Sequence, residues 1–146
     1  SLLMTACEGS ANGERRVSLG KAYNAGIGDP TQRAIGFRFG ETTGVYPNQI
    51  CPMQCFVHDG TTLTVQGVGN ISAYVTHRFW VVSNGLGHVE FYVDGVLKWE
   101  TDAGPTGLGT LNENVFTLEV DNNADAAYNI LELHDGTIVF DSEAAA

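Results

Sequence analysis

The segment HVEFYVDGVLKWET, residues 88 to 101, constrains this chain more than any other. Asp94-Gly95 is the dipeptide that most readily supplies two consecutive positive φ angles, the requirement of a type I′ β-hairpin turn. Folding about it sets Val93 opposite Val96. One face then carries Val89, Phe91, Val93 and Val96 before turning polar at Lys98 and Glu100. The other face carries Glu90, Tyr92, Leu97, Trp99 and Thr101. Neither face is purely polar, so the hairpin is expected inside a two-layer structure rather than standing in water.

The rest of the chain is read in the same way. Leu2 to Ala6 is an apolar strand, and Val17-Ser18-Leu19 centres a second. Asp29-Pro30 marks a turn. AIGFRF (34–39) alternates with Ile35, Phe37 and Phe39 on one side and Arg38 on the other. GETTGVYPNQICP (40–52) is connection, and CFVHDGTTLTV (55–65) is a hairpin around Asp59-Gly60. ISAYVT (71–76), HRFWVVSNG (77–85) and VFTLEV (115–120) add further strands. YNILELHDGTIVFDS (128–142) reads as a third hairpin about Asp135-Gly136, with Leu133 facing Ile138 and Leu131 facing Phe140. No apolar pattern of period 3.6 lasts three turns. About nine to eleven short strands therefore define one all-β domain over 1–146, an antiparallel two-sheet jelly-roll sandwich with little or no helix. The three Asp-Gly turns share no flanking sequence, so they are not a repeat.

Composition narrows the partners. Seven basic against 17 acidic residues give a net charge of −10, which repels phosphate backbones and anionic lipid. No apolar run approaches the roughly 20 residues of a membrane helix. Nucleic acid and membrane are thus not expected as partners. Ser1 in place of an initiator Met fits a chain processed or cut from a longer one, and SLLMTAC reads as a first strand rather than a lipoprotein cleavage site. The three cysteines, Cys7, Cys51 and Cys55, form no framework. Cys51 and Cys55 in CPMQC either close a small loop in an oxidising compartment or remain buried thiols.

VEFYVDGVLKWET resembles the segment of concanavalin A-like (laminin G-like) jelly rolls in which an aromatic strand enters a YVDG turn. HRFWVVSNGLG (77–87) stands where that family carries a Trp-containing strand, and ILELHDGTIVF (130–140) resembles its closing strand. The resemblance covers roughly the last half of the chain. It implies the fold and leaves activity open, because lectins, glycanases, adhesion domains and virion proteins share it. The glycanases it implies carry a Glu-x-Asp-x-x-Glu strand before the hairpin. Here the nearest string, Glu119-Val120-Asp121, follows the hairpin and lacks the second Glu, so no pair of carboxylates for glycoside hydrolysis is recognisable. Gly-x-Ser-x-Gly and His-Glu-x-x-His are absent too. His58 and His134, each preceding Asp-Gly, are expected as exposed turn residues. The chain is expected to be no enzyme, with no catalytic residues.

Two binding sites remain as expectations. DNNADAAYNILE (121–132) places Asp121, Asn123, Asp125, Asn129 and Glu132 at positions 1, 3, 5, 9 and 12 of a Ca²⁺ loop. Asp121, Asn123 and Asp125 would be the ligands, although Ala126 stands where Gly is wanted and an Asx-rich turn explains the same residues. Tyr92 and Trp99 share a face of the hairpin, and the neighbouring strand offers Phe79 or Trp80 depending on its register. They would form a sugar platform rimmed by Asn84, His88, Glu90 and Asp102, unless these aromatics simply fill the core. Asn70-Ile71-Ser72 is a glycosylation sequon, and the glycine-rich 102–110 segment reads as a flexible or partner-contacting loop.

The expected function is non-enzymatic: a structural or assembly module of a larger particle, such as a phage capsid decoration, fibre or tail protein at the virion surface. Its partners would be protein subunits, including copies of itself. The alternative is an extracellular, lectin-like carbohydrate-binding module, with or without calcium.

Overall fold

The computed structural model describes residues 1–6, 14–20, 32–45, 47–106, 116–121 and 130–136. Among these there is no helix, hence none long and apolar enough to cross a membrane. Ten strands form: β1 Leu2–Ala6, β2 Glu14–Gly20, β3 Ala34–Phe39, β4 Ile50–His58, β5 Leu63–Ser72, β6 Thr76–Ser83, β7 Val89–Val93, β8 Val96–Thr101, β9 Phe116–Asp121 and β10 Leu131–Gly136. They make two five-stranded antiparallel sheets. The first runs β10-β1-β6-β7-β8 and the second β5-β4-β3-β2-β9. The neighbouring pair β1/β10 in one sheet matches the neighbouring pair β2/β9 in the other, a winding shared with jelly rolls.

Alternation explains the packing. Odd-numbered positions of β3 and β4 (Ile35, Phe37, Cys55, Val57) point inward and meet Met4, Phe79, Val89 and Phe91 of the first sheet in one buried cluster. Phe37 bridges the layers. Its ring lies 5.1 Å from Phe79 and 5.4 Å from Phe91, both edge-to-face, the geometry that the aromatic quadrupole favours.

The same inward alternation buries a charge. Arg15 pairs with Phe39 in the ladder and is fully buried. Its guanidinium donates to the carbonyls of Ile130 and Gly40 and to Cys51 Sγ, while its Nε has no partner among the described residues.

Opposite the core, the ring of Phe56 lies over Gly36. A Cβ built at Gly36 would stand 2.2 Å from the Val17 carbonyl oxygen and 2.9 Å from that ring. Only glycine fits this crossing of β2, β3 and β4.

Several expectations change. Residues 71–76 are not a strand of their own: Ile71 and Ser72 end β5, and Ala73 to Val75 form the turn that carries the chain to the other sheet. Tyr74 there takes φ 61°, with its N–H donating to the Ala6 carbonyl.

Asp135 and Gly136 do not turn. They pair with Leu3 and Leu2 as part of β10, and neither has a positive φ. The expected partners Ile138 and Phe140 lie outside the described residues.

The Asp59-Gly60 hairpin is present, but with a four-residue connection in which Asp59 Oδ1 accepts from the N–H groups of Thr61 and Thr62, both at 2.7 Å. His58 is buried rather than exposed, its Nδ1 accepting from Gly60 N–H. The glycine-rich segment begins packed: Gly104 and Pro105 are buried, and Gly104 N–H donates to the Gly87 carbonyl at 2.8 Å.

Cys51 and Cys55 sit four residues apart on β4, both as free buried thiols. A strand separates such positions by about 13 Å at about 3.3 Å per residue, beyond the roughly 7 Å a disulfide spans. The small-loop alternative is therefore excluded. Burial pushes the Cys55 thiol up to about 12.

Candidate functional site

The 88–101 hairpin forms with a type I′ turn, with φ 52° at Asp94 and 80° at Gly95. Asp94 locks it to β6. Its carboxylate accepts from Arg78 N–H at 2.9 Å, and its own N–H donates to the Arg78 carbonyl at 2.8 Å. His77 Nδ1 stands 2.6 Å from the second carboxylate oxygen.

Beyond the turn the two strands do not alternate unbroken. Val93 pairs with Val96 and Tyr92 with Leu97, but Phe91 pairs with Trp99. Lys98 is the extra residue of a β-bulge, and one inserted residue moves everything after it to the opposite face. Trp99 is therefore not beside Tyr92. It turns inward and stacks on Phe91, with centroids 5.3 Å and planes 19° apart. The expected Tyr92–Trp99 platform does not form. β8 is also an edge strand rather than part of an inner pair.

A different platform takes its place. β6 is registered so that Trp80 pairs with Tyr92, while Phe79 points into the core. The rings of Trp80 and Tyr92 lie 5.8 Å apart, tilted by 42°. Trp80, Tyr92 and Leu97 then form one row across β6, β7 and β8 on the outer face of the first sheet. Trp80 is 50% exposed and Leu97 45%. The next row is Val82, Glu90 and Glu100, with Val82 41% exposed.

Polar groups gather at that second row. Tyr92 donates its hydroxyl to Glu90 Oε2 at 2.5 Å. Glu90 Oε1 lies 3.3 Å from His88 Nε2, and His88 Nδ1 lies 2.7 Å from Asp102 Oδ1. The hydrogen bond to Tyr92, then that to His88, holds the Glu90 carboxyl below its ordinary range. The bond to Asp102, then that to Glu90, raises His88. The bond to Glu90 raises Tyr92 in turn. Asn84 sits in the adjoining turn, where its Oδ1 accepts from Leu86 and His88 N–H groups at 2.8 and 3.1 Å. It shapes the loop that delivers His88.

Of the residues expected at a site, Trp80, Tyr92 and Glu90 thus come together, with His88 and Asp102 at the rim and Asn84 supporting them. Trp99 does not join them. Glu100 was missed, because the unbroken register pairs Glu90 with Trp99; only the bulge brings Glu100 opposite. The cation loop is a separate matter. Asp121 ends β9, but its side chain, Asn123 and Asp125 lie outside the described residues.

No protein-family model matches the chain, no curated protein matches it, and no solved structure matches it.

Proposed function

We propose that this chain is a non-enzymatic assembly module of a larger particle, of the kind that decorates a phage capsid or builds its fibres and tail, with a concanavalin A-like fold. Its contact surface is the outer face of β6, β7 and β8. The observation that carries this reading is the Trp80–Tyr92–Leu97 row, an apolar strip about 10 Å across at about 4.8 Å per strand spacing, in which Trp80 and Leu97 are about half exposed and Tyr92 is partly buried. Exposed apolar strips rimmed by polar residues mark association surfaces. The β8 edge is bulged at Lys98, and bulged, charged edges resist strand-to-strand pairing. That favours contact through the face, with protein subunits, including further copies of this chain, as partners.

Sedimentation velocity across a wide concentration range tests this reading. A defined oligomer is expected, and a strict monomer at high concentration would overturn self-assembly.

A second reading, a lectin-like module, is favoured by one observation: the half-exposed Trp80 ring and the partly buried Tyr92 ring lie beside a carboxylate and an imidazole. Aromatic faces that pack on sugar C–H groups work with such a polar rim. A glycan array with wild type and Trp80→Ser tests it. Binding lost in the variant supports it, and no binding by wild type removes it.

A further inference from the structure

We propose that His88 Nε2, Glu90 and Glu100 form a binding site for a zinc-class divalent cation on the outer face of the first sheet. One donor atom from each of these residues lies within 4.8 Å of the others. The inference rests on how the atoms not needed for binding are already held. Asp102 takes the Nδ1 side of His88 at 2.7 Å, which orients the ring and leaves Nε2 aimed at Glu90. Tyr92 takes Glu90 Oε2, which leaves Oε1 aimed at His88. A carboxylate behind a metal-binding imidazole and a hydroxyl behind a metal-binding carboxylate are the supports that fix ligand direction in metal sites.

The spacing of the His88–Glu90 pair fits a small ion, with the Glu100 donor within 4.8 Å of both. Two ligands of a tetrahedral zinc, each at about 2.0–2.1 Å, stand about 3.3 Å apart. His88 Nε2 and Glu90 Oε1 are 3.3 Å apart. A nitrogen donor with two carboxylates suits zinc and its neighbours, whereas Ca²⁺ requires six to eight oxygens. Three protein donors leave one position for water or for a donor from a bound molecule.

The site also answers a local problem in the sheet. Glu90 and Glu100 are direct cross-strand partners on one face, and like charges so placed repel. A shared cation converts that repulsion into attraction. The inference does not depend on assembly, since all three ligands lie in one chain.

The test is titration of the metal-free full chain with ZnCl₂ by calorimetry at concentrations where it is monomeric, with CaCl₂ as a parallel arm. Wild type is expected to bind zinc tightly at one site that His88→Gln and Glu100→Gln each weaken at least tenfold. Asp102→Asn should weaken it about 10–100-fold, as loss of an orienting partner does. Co²⁺ bound to wild type should give the strong visible absorption of a tetrahedral site, absent in His88→Gln. These positions are on the outer face of the sheet, and circular dichroism melts check that each variant is folded. Equal zinc affinity in wild type, His88→Gln and Glu100→Gln would overturn the proposal, as would tighter binding of Ca²⁺ than of Zn²⁺.

Discussion

The Trp99 indole stacks on the Phe91 ring at 5.3 Å, and it does so only because Lys98 is bulged out of register. One extra residue thus converts an apparent surface aromatic into packing against the core on the inner face of its own sheet. Trp99→Ala should destabilise the fold by about 2 kcal/mol, less than the roughly 3–5 kcal/mol of a fully buried Trp, because Trp99 is half-buried. Trp80→Ala should change stability by less than about 0.5 kcal/mol, as an outward residue does. Urea unfolding of the two variants measures both, and the reverse order would place the two indoles wrongly.

Gly36 is expected to be intolerant. The Cβ of Gly36→Ala must displace the Val17 carbonyl or the Phe56 ring, and overpacking of this kind costs about 1–3 kcal/mol. Gly67 on β5 offers the control, since nothing lies within 4 Å of its Cβ position. Gly67→Ala should be neutral or slightly stabilising, and guanidinium midpoints of the pair should separate clearly.

The hairpin turn should make stability depend on acid. Burial alone would raise Asp94, but its bonds to His77 and to Arg78 N–H outweigh that and hold it below 3.8. A group depressed in the folded state contributes stability that is full above its unfolded value and lost as pH falls through the folded one. Urea midpoints of wild type should therefore fall, as pH drops through and below the ordinary carboxylate range, more steeply than those of Asp94→Asn. Asn accepts the same positive φ, so the variant keeps the turn. Parallel slopes would show that this carboxylate contributes nothing.

Cys51 and Cys55 should be free and unreactive. Burial raises both thiols, Cys51 despite the adjacent Arg15. Alkylation of the native protein near pH 8 should spare both, and alkylation after unfolding without reductant should label both, as read by peptide mass spectrometry. A Cys51–Cys55 crosslink would contradict the strand geometry.

The sandwich was legible because its signals are local and periodic. Asp94-Gly95 demands positive φ, and AIGFRF alternates without exception. What was not legible depends on register. VLKWET alternates as well with the bulge as without it, so nothing in it announces that Lys98 is extra. Simple alternation therefore puts Trp99 on the outer face and sets Glu100 away from Glu90, and the bulge reverses both. Asp135-Gly136 shows the converse: the dipeptide permits a turn, and pairing with Leu2 and Leu3 overrides it. His88 and Glu90 were within reach, since residues two apart on a strand share a face.

On the proposed reading the outer row with Trp80, and not the hairpin's Trp99, is the surface through which this chain meets its partners. Sedimentation velocity of wild type, Trp80→Ser and Trp99→Phe at matched high concentration tests it most directly. Wild type and Trp99→Phe should be oligomers, and Trp80→Ser a folded monomer whose Tm equals that of wild type diluted to its monomeric range. A monomeric wild type, or a Trp80→Ser variant that assembles as wild type does, would contradict it.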